Sequence, residues 1–307
     1  MKKFVKNLLI FSTIVTIIFA LTVISNFYLI KSESLIKSNQ KKIIVLGDSN
    51  IECAIDDSIF FNAQNLSASS DSYYYSYLKI KKILNNKNNI DTILLAFAPH
   101  NIFDNGWLLS ESHIYTRFAT YYPLMNWDDF SFLFFSKPKA VISAFPRIIK
   151  QSIINFDNKF NPPIKDFTYG GFDRIERNVL PEVRKKLIKG EKMPFFKIPD
   201  NFEIAKKEVL YLNKIINLCN SKQKVLFLIN TPKRIELLNY PKYGVKEFNA
   251  FYLKNYKSVH FIDLSKMDIP EDCFGDFVHL NSKGSKLFSN ILQYKRIEYL
   301  YEIYGVK

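Results

Sequence analysis

KKIIVLGDSN, residues Lys41–Asn50, begins with charge, passes through the apolar run Ile43–Leu46 and stops at Gly47. A short β-branched run closed by glycine is how a strand buried on both faces reads. Three other runs share this form: DTILLAFA at Asp91–Ala98, KVLFLIN at Lys224–Asn230 and SVHFIDL at Ser258–Leu264. NAQNLS at Asn62–Ser67 is a weaker example. Helical periodicity fills the gaps at Tyr73–Leu84, Phe202–Asn220 and Ser282–Arg296; in the last, Leu287, Ile291 and Leu292 share one face. Strands alternating with helices predict an α/β fold with a parallel sheet covered on both sides.

Outward from this core the pattern changes twice. Lys2, Lys3 and Lys6 precede an uncharged stretch, Leu8–Ile30, which as a helix spans about 34 Å, enough for a bilayer core of about 30 Å. It is too long for a signal peptide and lacks a small-x-small cleavage site, so it reads as an uncleaved signal anchor. The preceding lysines place the N-terminus inside and the remaining chain outside. The expected location is thus the inner (cytoplasmic) membrane, single-pass, with the main body on the extracytoplasmic, periplasmic side. Between Ile102 and Asp200 the alternation breaks into a segment rich in Phe, Tyr and Pro, with FLFF at Phe132–Phe135 and Pro162-Pro163. A structureless loop of that length is implausible, so it is expected to carry its own helices as an inserted subdomain. The organisation read from the sequence is an anchor at 1–30, a linker at 31–40, a core in two parts at 41–102 and 201–307, and the insertion at 103–200.

Composition narrows the function. The 307 residues amount to about two domain lengths at about 150 residues each. Cys53, Cys219 and Cys273 are too widely spaced for a disulfide framework or a zinc cluster. Neither G-x-x-x-x-G-K-[ST] nor G-x-G-x-x-G occurs, which removes the two commonest nucleotide sites. Lys plus Arg, 43, exceeds Asp plus Glu, 29, by 14. These cations are spread along the chain rather than gathered in one block, which with export argues against nucleic acid and reads as a lysine-rich proteome or a weakly steered anionic substrate.

Open parallel sheets bind ligands beyond the carboxyl ends of their strands. The first strand ends in Gly47-Asp48-Ser49, where glycine permits a tight turn that presents a serine hydroxyl at a helix start. Near the other end stands Asp276-Phe277-Val278-His279-Leu280-Asn281. A serine nucleophile needs a base, and the base needs a carboxylate to fix its tautomer; Asp276, three residues before His279, fits that need. His260 lies within a strand run, and His113 lies in the insertion without an evident partner.

With these two blocks at opposite ends of an α/β pattern, the sequence resembles the SGNH (GDSL-type) hydrolase family over Lys41–Asn101 and Phe202–Gln293. The resemblance implies a flavodoxin-like three-layer α/β/α fold and acyl-ester chemistry, with Ser49 as nucleophile, His279 as base and Asp276 as its carboxylate. It also implies an oxyanion hole formed by the N–H groups of Ser49 and Ser70 and by a side chain from His100 or Asn101. The middle blocks depart from the family pattern: Ser70 stands at the usual glycine, and Ala98-Pro99-His100-Asn101 replaces G-x-N-D. Ile51 excludes the G-x-S-x-G elbow of other α/β hydrolases.

The expected function is a membrane-anchored, extracytoplasmic serine esterase or O-acyltransferase of the cell envelope, acting on acyl esters, acetyl foremost, of a small molecule or cell-surface glycan. It would need no cofactor and no metal; its partners would be the membrane, through the N-terminal helix, and a membrane acyl donor. The alternative is a catalytically weak or inactive binding or assembly protein on the same scaffold. Cys53 reads as a small buried packing residue, Asp56-Asp57 as surface turn residues and Tyr73-Tyr74-Tyr75 as a helix face.

Overall fold

The computed structural model describes residues 1–103, 109–161, 168–178, 202–295 and 297–305. Pro162-Pro163 and the whole stretch between Asn178 and Phe202 lie outside the described residues. In chain order the helices are α1 (Lys2–Ser32), α2 (Ser49–Glu52), α3 (Tyr73–Leu84), α4 (Pro99–Ile102), α5 (Glu111–Tyr121), α6 (Trp127–Ser136) and α7 (Pro138–Phe160). They continue with α8 (Lys206–Ser221), α9 (Ile235–Leu238), α10 (Val245–Asn255), α11 (Ser282–Lys295) and α12 (Ile297–Tyr304).

All five apolar runs become strands: β1 (Ile43–Leu46), β2 (Ala63–Asn65), β3 (Thr92–Ala96), β4 (Val225–Asn230) and β5 (His260–Asp263). They form one parallel sheet in the order β2-β1-β3-β4-β5. Register places Leu46, Leu95, Leu228 and Phe261 in one row, so the carboxyl ends of β1, β3, β4 and β5 come out side by side. Alternation along the strands separates two cores. Val45, Leu94, Ala96, Phe227, Ile229 and Ile262 cluster with Ile51 of α2 and Phe288 and Leu292 of α11. On the other face the Phe261 ring packs against Phe248 and Tyr252 of α10, with Phe97 joining them. Both faces are dry, which is why these runs read as continuous rather than alternating hydrophobics. The helix expected from Phe202 begins at Lys206, after Ala205 has donated its N–H to the Ile102 carbonyl.

The chain divides into two compact units. The sheet unit comprises 36–108 and 169–307; the other comprises 1–35 and 109–168. In the second, α7 packs against α1, α5 and α6, and the Lys2–Ile30 portion of α1 is long and apolar enough to cross a membrane. Asn26 and Asn155 are buried there: Asn155 Nδ2 donates to Asn26 Oδ1 at 2.8 Å, and Asn26 Nδ2 donates to the Tyr122 hydroxyl at 2.8 Å.

Candidate active site

Gly47 takes φ +145°, and a Cβ there would lie 2.3 Å from Ala96 Cβ on β3. Only glycine lets β1 turn so close to its neighbour. The next residue fixes the turn: Asp48 Oδ1 accepts the N–H of Asn50 at 2.9 Å and caps α2, of which Ser49 is the first residue. Ser49 Oγ lies 2.8 Å from His279 Nε2. His279 Nδ1 lies 2.8 Å from Asp276 Oδ2 and 3.0 Å from Oδ1. The D-x-x-H spacing works through its own backbone, since Asp276 Oδ1 also accepts the N–H groups of Val278 and His279, both at 2.9 Å.

Burial acts to raise the Asp276 pKa, but the bond to His279, its charge and the two backbone donors together hold the carboxyl well below the usual range. An ionised Asp276 takes the Nδ1 proton as a hydrogen bond, which leaves the Nε2 lone pair to accept from the Ser49 hydroxyl.

Beneath the serine lies a second carboxylate, Asp48, buried and also held strongly ionised. Its burial penalty is outweighed by His100 and by the amide groups of Asn101 and Asn50. Asp48 Oδ2 receives His100 Nε2 at 2.6 Å and Asn101 Nδ2 at 2.8 Å, and Asp48 Oδ1 receives Asn50 Nδ2 at 3.1 Å. Asn50 Oδ1 in turn accepts from Lys233 Nζ at 3.1 Å, and Lys233 also reaches Thr231 Oγ1 at 2.7 Å. Burial pulls the Lys233 ammonium down to about 8, with Asp48, Asp276 and Asp263 opposing that shift. Lys233 and Asn50 are not among the residues that the sequence reading selects. The strand-end rule that selects Ser49 would also have reached Lys233, two residues beyond Thr231 at the end of β4.

The four expected oxyanion donors have distinct placements. Among the described residues, no hydrogen bond engages the N–H of Ser49 or of Ser70. Ser70 takes φ +61°, a left-handed conformation that suits the glycine it replaces. Ala68 donates its N–H to the Gly47 carbonyl at 3.0 Å, which seats the Ser67–Ser70 loop beside the Gly47–Ser49 turn. His100 and Asn101 both direct a side-chain nitrogen at Asp48, and Asn101 Oδ1 accepts the N–H of Ala98 at 3.0 Å.

A strap formed by residues 169–178 borders the site. Gly171 donates its N–H to the Ser67 carbonyl at 3.0 Å, and Ser282 donates its N–H to the Ile175 carbonyl at 2.7 Å. Two residues past the second anchor the strap delivers Arg177, whose guanidinium lies 3.0 Å from Asp276 Oδ2. Near the start of the strap, one donor atom each from Glu52, Cys53 and Asp173 lies within 4.8 Å of the others. Burial raises the Glu52 carboxyl to about 7, and Ser69 Oγ donates to it at 2.5 Å. Burial also pushes the Cys53 thiol far up, so this sulfur is a poor thiolate ligand or nucleophile near neutrality.

The remaining candidates sit elsewhere. His113 Nδ1 is 2.9 Å from Ser110 Oγ in the helical unit, and His260 packs its ring on Phe227 and Tyr301. Asp57 accepts the N–H of Asn65, Asp56 caps Ser58, and Tyr73 donates its hydroxyl to the Ala96 carbonyl.

A model of an uncharacterised protein family matches residues 196–300, the stretch that holds Lys233, Asp276 and His279. No curated protein matches the chain.

Proposed function

We propose that this protein is an SGNH-type serine esterase or O-acyltransferase, anchored by α1 in the cytoplasmic membrane and acting on acyl esters of the cell envelope on the extracytoplasmic side. The observation that carries the reading is the continuous relay Ser49 Oγ–His279 Nε2, His279 Nδ1–Asp276 Oδ2. Ser49 Oγ bonds to the acyl carbon while its proton passes to His279 Nε2, and the carbonyl oxygen becomes the oxyanion. Collapse breaks the ester bond, and the leaving alcohol takes the proton from His279. The acyl-serine is then attacked by water or by a sugar hydroxyl, whose proton returns through His279, and Ser49 is released. The free N–H groups of Ser49 and Ser70 are the donors this reading assigns to the oxyanion. The hydrogen on Asn101 Nδ2 that does not point at Asp48 is a third.

A second reading, a catalytically weak binding or assembly protein, draws on the commitment of both His100 and Asn101 to Asp48. The test is hydrolysis of p-nitrophenyl acetate and labelling by a fluorophosphonate, using the full chain in detergent. Wild type should release p-nitrophenol and label, Ser49→Ala should not label, and Ser49→Ala and His279→Ala should each lose about 10⁴-fold or more in rate. A folded wild type that neither reacts nor labels would transfer the weight to the binding role.

A further inference from the structure

Helix α7 has two apolar faces, and among the described residues only one is buried. Val141, Ala144, Ile148, Ser152 and Asn155 are buried within the helical unit. Ile142, Ile149, Ile153, Phe156 and Phe160 are exposed, by 54, 41, 64, 61 and 66%. Pro146, also exposed, completes their helical spacing. At about 100° per residue these six positions form one stripe about 80° wide and about 27 Å long. A helix facing water places polar residues there, so an open apolar stripe of this length marks an interaction surface. Helix α6 adds Trp127 and Phe135, the most exposed of its aromatics.

The occupant follows from what this unit holds. The part of α1 before Phe19 lies open, and its uncharged portion, Leu8–Ile18, is about 17 Å of helix, little more than half of a bilayer core of about 30 Å. Packing on the insert begins at Phe19, where a row of rings runs Phe19–Phe145–Phe118–Phe130–Trp127 with centroids 6.1, 6.1, 6.2 and 5.6 Å apart. A bilayer that takes up the uncharged stretch Leu8–Ile30 therefore extends past Phe19 and meets the insert helices packed there. Helix α7 also carries Lys139, Arg147, Lys150 and Lys159 against the single acid Asp157, and Lys139 and Lys150 flank the stripe in the open. Apolar residues bordered by cations suit the boundary between anionic headgroups and acyl chains.

We propose that the exposed face of α6 and α7 is a second membrane-contacting surface, seated in the lipid leaflet that receives the C-terminal half of α1. The proposal rests on reading α1 as a membrane anchor, and its test separates the two. Full-length protein is placed in nanodiscs of phosphatidylcholine and phosphatidylglycerol with brominated acyl chains, which quench tryptophan on contact. Trp107 and Trp127 are the chain's two tryptophans. Trp107→Phe leaves Trp127 as the emitter, and in a background lacking both, Ile149→Trp reports on the stripe and Phe11→Trp on the anchor. All three should lose most of their emission relative to unbrominated discs. If Phe11→Trp is quenched while Trp127 and Ile149→Trp stay bright, the insert stands clear of lipid and the proposal is overturned with the anchor intact. If Phe11→Trp stays bright, α1 is not in the bilayer and both readings fall.

Discussion

At the scale of single residues, the site depends on where burial leaves charge. Asp48 reads in the sequence as a turn former, and in the fold it is also the hub on which His100, Asn101 and Asn50 converge. A buried carboxylate is tolerated only with donors of this number, and removing one would leave the charge beside Ser49 less compensated. Glu52 is the opposite case, with burial raising its pKa to about 7 from 4.5. Folding therefore favours its protonated form, a stability contribution fully present below pH 4.5 and lost as pH rises through 7. The window is worth up to about 3 kcal/mol. Glu52→Gln keeps the acceptor for Ser69 and removes the titration. The variant should match wild type in thermal unfolding below pH 4.5 and exceed it above pH 7; parallel curves would show that Glu52 does not titrate in this window.

At the scale of elements, the Gly47–Ser49 turn and the D-x-x-H loop are local structures that their own sequences specify, by a cap in one and by two backbone bonds to Asp276 in the other. The strap is not local. Gly170 has φ +108°, and a Cβ on it would lie 2.2 Å from the Ser67 carbonyl oxygen. Gly170→Ala should therefore push the strap off the Ser67–Ser70 loop and cost about 3 kcal/mol or more. Far-UV circular dichroism should stay near wild type while proteolysis within residues 169–178 accelerates and ester hydrolysis falls. An unchanged cleavage rate would show that the strap tolerates the side chain without moving.

For the whole molecule, one chain builds two units with different surfaces. The sheet unit closes two dry cores and turns its polar strand ends outward, whereas the helical unit leaves apolar surface open along both α1 and α7. Its internal fastening is polar, with Asn26 tied to Asn155 and to Tyr122 among apolar helices. Asn155→Leu would strip Asn26 Oδ1 of its donor in a buried position, at a cost of about 1–3 kcal/mol. Thermal unfolding of the full chain in detergent should register that loss, and an unchanged midpoint would mean that the pair does not hold α1 to α7.

The sequence by itself determined the five strands, the long apolar helix at the N-terminus, and a serine and a D-x-x-H block at strand and helix ends. Each of these is a local property: dry strands need unbroken β-branched runs, spanning helices need length without charge, and Asp276 holds its loop through neighbouring N–H groups. Only the tertiary structure decided which distant groups meet. Parallel register gathers the ends of β1, β3 and β4 whatever their separation in the chain, and so brings Lys233 to Asn50. The loop after β5 runs back past Arg234, whose N–H donates to the Phe277 carbonyl, and sets His279 against Ser49. Arg177 has no sequence signal at all, because a charged residue in an irregular segment looks alike whether it faces water or, as here, Asp276. The open stripe of α7 is legible as spacing, but that its other face would be the buried one was settled by packing against α1 and α5.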